Sequence, residues 1–131
     1  MRIEDFDSEH NAASPRDIAA ALSKRDGRGI NSFWLYHGAE KYPTINIMVK
    51  GDLAYVHYFL KHRHPGYASV AKVLGPRPNE TSIFFLYPTE KVWVRNDALV
   101  PFSDALKVAQ EFATSTEMPK CIQWNSLIAG E

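Results

Sequence analysis

The sequence predicts an α+β domain, an antiparallel sheet of about five or six strands with two helices packed on one face. Three observations lead there. Within residues 103–114, Ala105, Leu106, Val108, Ala109, Phe112 and Ala113 recur at three- and four-residue steps, which is the wide apolar stripe of a helix lying on a sheet. Ile45, Ile47 and Val49 alternate with Thr44, Asn46, Met48 and Lys50, the period of a half-buried strand. The elements also run helix, several strands, helix, strand, the order of helices segregated to one face of an antiparallel sheet.

In chain order, residues 1–13 place Glu4, Asp5, Asp7 and Glu9 against Arg2 and read as a flexible, solvated acidic arm, with a binding role as the alternative. Ser14, Pro15 and Asp17 then open a helix, with Ser14 as cap, Pro15 at the first helical position and Asp17 placed to reach back. Its stripe of Ile18, Ala21 and Leu22 is narrow, and Gly27 and Gly29 mark its end, so it should ride at the sheet margin. Phe33 to Tyr36 favour a strand, residues 38–41 turn, and residues 44–50 and 53–60 form a hairpin around Gly51-Asp52. Residues 68–73 give a short strand, 75–80 a Gly/Pro loop, and 83–87 with 92–95 a second hairpin around residues 88–91. Ser103 is expected to cap the second helix, with Asp104 near the positive end of its dipole. Residues 114–116 should fray that helix before Pro119 forbids its continuation. Cys121, Ile122 and Trp124 then read as a returning strand, and Phe112 and Trp124 as core residues.

The bulk numbers exclude several classes. At 131 residues, 45% hydrophobic and 23% charged, the chain 1–131 is one ordinary globular domain able to bury a core without staples. Zero formal charge gives no global field toward nucleic acid or anionic lipid. A nucleic-acid surface built on Lys61, Arg63, Lys72 and Arg77 would need a stronger basic stripe than this one. A single cysteine precludes an internal disulfide, and the first residues lack a signal-peptide pattern, so a cytoplasmic location is expected.

No catalytic set stands out. His57, His62 and His64 cluster in sequence without a Cys or carboxylate at metal-ligand spacing, so they read as surface or loop histidines. Cys121 sits in an apolar stretch and reads as a small buried hydrophobe rather than a nucleophile. Neither a metal nor a cofactor is expected. If Ile45, Ile47 and Val49 face the helices, then Trp34, Tyr36, Trp93 and part of residues 55–59 line the opposite face. So many aromatics mark either a partner surface or a face that the 61–82 loop covers; both readings stand at this point.

Val100-Pro101, a short helix ending in Glu111-Phe112, and Met118-Pro119-Lys120-Cys121-Ile122-Gln123-Trp124 resemble the C-terminal pattern of the Imm-type immunity proteins of bacterial polymorphic toxin systems. Residues 44–49, the Gly51-Asp52 turn, residues 53–58, and His64-Pro65-Gly66-Tyr67-Ala68-Ser69-Val70 resemble the family's middle. So does the hairpin before residues 97–101, and the likeness covers most of residues 31–127. The family is often paired with deaminase toxins. The resemblance implies a non-enzymatic, cytoplasmic antitoxin, without cofactor, that binds a cognate toxin domain as a monomer and occludes its active site. A nucleic-acid-directed toxin has a basic concave cleft, so its inhibitor should offer acids and inserted aromatics. The candidates are Trp34, Tyr36, Tyr67 and Trp93 as anchors, with Glu4, Asp5, Asp7, Glu9 and Glu80. The alternative is a small-molecule or enzymatic domain with a pocket lined by His57 and His64.

Overall fold

Alternation in the middle of the chain builds the sheet. In the computed structural model, which describes residues 1–115 and 117–128, strands β3 (Ile30–Tyr36), β4 (Thr44–Lys50) and β5 (Leu53–Phe59) form an antiparallel meander. Gly51, at φ +57°, makes the turn between β4 and β5 possible, because a side chain is strained there. Register then assigns the faces. Ile47 lies between Phe33 and Val56, and Ile45 between Leu35 and Tyr58; all four neighbours are buried toward the helices. Asn46 lies between Trp34 and His57, and Met48 between Ser32 and Tyr55, on the opposite face.

The helices cover only the first face. Helix α1 (Pro15–Leu22) starts as expected, with the Asp17 amide donating to Ser14 Oγ at 3.1 Å, and stops at Leu22, well before Gly27. Helix α2 (Phe102–Thr114) buries Ala105, Val108, Ala109 and Phe112 in the same core as Ile18 and Leu22 of α1. Ser103 is not its cap. Pro101 takes that position because its two-residue strand, β9 (Val100–Pro101), bridges to β5, and the Phe102 amide donates to the Asp52 carbonyl at 2.7 Å. The end of α2 at Thr114 matches the expectation; Thr116 lies outside the described residues.

The acidic N-terminal stretch is not a free arm. It forms a hairpin of β1 (Arg2–Glu4) and β2 (Glu9–Asn11) that extends the sheet beside β3. Ile3 is fully buried, and the terminal ammonium donates to the Ala12 carbonyl at 2.9 Å. Asp5 serves the turn, its Oδ1 accepting from the amides of Asp7 and Ser8 at 2.8 Å each.

At the other edge β6 (Tyr67–Ser69) pairs with β5, and β10 (Trp124–Ser126) pairs with β6. The sheet order is β10-β6-β5-β4-β3-β1-β2, with β9 added on β5, so this sheet alone exceeds the five or six strands expected. The antiparallel α+β class is as expected. Because β10 begins only at Trp124, Cys121 lies in the bend before it and is exposed rather than a core residue. Trp124 is half-buried, packed on the core with its ring 6.2 Å from Tyr58, and its Nε1 donates to the Pro119 carbonyl at 2.7 Å.

The remaining hairpin, β7 (Thr81–Tyr87) and β8 (Glu90–Arg95), is a separate two-stranded sheet laid on the second face. Phe84 and Val94 pack with Met48 there in a smaller core. The hairpin, rather than the 61–82 loop, is what partly covers the aromatic face. No helix among the described residues is long and apolar enough to cross a membrane.

Candidate partner-binding site

The uncovered part of the second face is an aromatic cleft. Alternation along β5 points Tyr55, His57 and Phe59 the same way, and β3 adds Trp34 beside them. The rings form a ladder: Trp34 and Phe59 are 6.0 Å apart, Phe59 and His57 stack at 3.9 Å, and His57 meets Tyr55 edge-on at 6.1 Å. With Trp93 and its neighbours on β8 they enclose an open cleft of about 440 Å³, within the usual range for ligand pockets. Trp34 and Phe59 also wall an adjoining cleft of about 300 Å³ with Tyr36, Lys41, Tyr42 and Tyr87. Among the lining residues of both, Arg95 and Lys41 are the cations and no carboxylate occurs.

Polar groups in this face are held in defined states. The indole Nε1 of Trp34 is shielded from solvent and has no acceptor, leaving a donor unsatisfied at the wall shared by the two clefts. Burial pushes the Tyr36 phenol up to about 12, with Glu4 adding to the shift, so it stays a neutral donor while Arg2 rests 4.4 Å over its ring. The His57 Nε2–H donates to the Pro65 carbonyl at 2.9 Å. Gly66 makes that approach possible: a Cβ there would stand 2.5 Å from the Tyr58 carbonyl oxygen and 2.7 Å from His57 Nε2, at a φ of +87°.

Burial lowers the His57 pKa from its ordinary 6.5, against an upward pull from the Pro65 bond. A histidine whose folded pKa is depressed gives stability that is intact above 6.5 and is lost as pH falls toward the folded value, because the unfolded chain takes the proton first. Urea unfolding at about pH 7.5 and pH 5.5 should therefore show a larger loss in the intact protein than in His57→Gln. Equal losses would contradict this reading.

The three histidines do not converge. His57 lies in the ladder, His62 meets Tyr42 edge-on at 6.1 Å, and His64 Nδ1 accepts from the Gly66 amide at 2.9 Å beside Tyr67. Among the described residues, no three His, Cys, Asp or Glu side chains come together as metal ligands would.

The candidate anchors divide. Trp34 and Trp93 share one cleft, and Tyr36 lines its neighbour. Tyr67 belongs to the other face, packed toward the helix-side core with Tyr58. Of the acids, Glu4 stands directly across from Trp34 in register. Asp5 and Asp7 form the β1–β2 turn, and Glu9 pairs with Arg2 at 3.6 Å. Glu80 is exposed in the loop before β7, 3.8 Å from Arg77. Arg95, Tyr87 and Tyr42 were not singled out from sequence; Tyr87, directly before the Pro88 turn, carried the one usable signal.

Comparison with known proteins places this fold beside proteins that act as immunity partners. The chain is similar to the double-stranded DNA deaminase immunity protein of Burkholderia cenocepacia (strain H111), 24% identical over 127 residues that span 97% of this chain and 100% of that protein. The model of the Imm1 immunity proteins matches residues 7–126, from the β1–β2 turn to the last residue of β10. The aromatic cleft is thus the second face of a chain that belongs to the Imm1 family of immunity proteins.

Proposed function

We infer that this protein neutralises one cognate toxin domain, a deaminase acting on DNA, by binding it through the aromatic second face and covering its active-site mouth. Membership of the Imm1 family carries the reading, and the full-length likeness to a DNA deaminase immunity protein supports the toxin class. The protein acts by binding and not by catalysis, in the cytoplasm of the cell that makes the toxin. One copy meets one toxin domain, burying about 800 Å² on each partner. Trp34, Tyr36 and Trp93 are the anchors, because hot spots are aromatic residues set in pockets, and these three line the paired clefts. Tyr67 faces away from them, and the acids Glu4, Asp5, Asp7, Glu9 and Glu80 belong to the rim, where charge mainly sets association rate. Co-expression with the toxin encoded beside this chain tests the reading. Growth should be restored and the two proteins should co-purify; continued killing without a complex would refute it.

A further inference from the structure

The β7–β8 hairpin has only two strands, so each strand keeps one edge that pairs with no other strand among the described residues. β7 lies over β3 and β4. On the other side, four consecutive residues of β8, Val92, Trp93, Val94 and Arg95, border the 440 Å³ cleft. Successive strand residues point to opposite faces, so a face of β8 could present only alternate ones. With Leu86 of β7 lining it as well, the cleft reaches from beneath the hairpin to the outer edge of β8, where peptide N–H and C=O groups stand without strand partners among the described residues. Its floor is the aromatic ladder, and Asn125 and Leu127 stand on the far side.

We propose that this edge receives an extended segment of the toxin as a third strand of the hairpin sheet. Its apolar side chains enter the cleft, and its carboxylates lie against Lys91 and Arg95. The proposal rests on the immunity reading and specifies how that surface is used. Strand addition supplies main-chain hydrogen bonds, while alternate side chains supply selectivity.

Charge selects the occupant. Lys91, Trp93 and Arg95 share the outer face of β8, opposite Phe85, Ile83 and Thr81 of β7. A second copy pairing antiparallel about Trp93 would set Lys91 of each chain against Arg95 of the other. Like charges directly across a strand pair are destabilising, and opposite charges are favourable. The edge is thus guarded against its own kind by cations, a known protection of open strands, and suited to an acidic strand. Arg95 already holds Asp97 at 2.7 Å, whereas Lys91 has no ion-pair partner among the described residues and is the cleaner probe.

The test is amide hydrogen exchange on residues 90–95 in the free chain and in its complex with the toxin domain encoded beside it, inactivated by mutation. Binding of Lys91→Glu is measured alongside. The β8 amides should slow by about tenfold or more in the complex. Lys91→Glu should weaken binding by roughly fivefold to tenfold, an effect that shrinks at high salt. A complex that forms and protects cells while the β8 amides exchange as in the free chain overturns the strand-addition proposal and leaves the immunity reading standing. Absence of any complex removes both. Concentration-dependent dimers with slowed β8 exchange and no toxin present would assign the edge to a second copy, overturning the proposal.

Discussion

Phe112→Ala should lower the unfolding free energy by about 3–5 kcal/mol, the range for a large aromatic deleted from a core. Phe112 is 0% exposed near the end of α2. Its ring lies 4.5 Å from His37 and meets Tyr58 edge-on at 6.3 Å, so it couples the helix to the end of β3 and to β5. Ala105, Val108 and Ala109 share its stripe, but their side chains are too small to fill the space it would leave. Because α2 also abuts α1, the cavity would open where both helices meet the sheet. Urea or thermal denaturation measures the change. A loss under about 1 kcal/mol would mean that the helix is not anchored as described.

The double substitution Trp34→Ala, Trp93→Ala should cost about 2 kcal/mol or more in toxin binding, roughly thirtyfold in Kd. The two side chains come from distant strands and meet in one cleft. Trp93 is 62% exposed, so its removal should leave stability almost unchanged and report on binding alone. Trp34 is half-buried, and its unpaired Nε1 is a donor that a partner carbonyl or carboxylate can satisfy. Its single variant therefore needs an unfolding curve beside the binding curve. Unchanged affinity in a folded double variant would place the interface elsewhere.

Much of this architecture was legible because a few elements repeat long enough to show a period. The alternation of Ile45, Ile47 and Val49 assigned both faces of the sheet, and the stripe ending at Phe112 located the covering helix. Strands of three residues give no such signal. β1 buries one apolar side chain, Ile3, in an acidic run, so its composition resembled a solvated arm. β6 is as short, and nothing in Tyr67-Ala68-Ser69 told which face Tyr67 would take. The β7–β8 hairpin carries apolar residues on both faces, Phe84 inward and Ile83 outward. Its strands were readable, but not the side that would pack on Met48. The cleft was the least accessible feature, since its walls are assembled from β3, β4, β5, β6, β7, β8 and β10. Likewise the start of α2 was set by the long-range Leu53–Pro101 pairing, which no local reading of Ser103 could reveal.

If one copy of this protein silences one deaminase domain by covering its active site, inhibition must be stoichiometric. The most direct test titrates this protein into a deaminase domain found encoded beside it and follows cytosine or adenine deamination of duplex DNA. Activity should fall linearly to zero at one equivalent, and Trp34→Ala, Trp93→Ala should shift the curve to large excess. Full deamination at several equivalents of intact, folded protein would contradict inhibition by binding. Complete loss at a small fraction of an equivalent would contradict it in the other direction, because only a catalyst could act so sparingly.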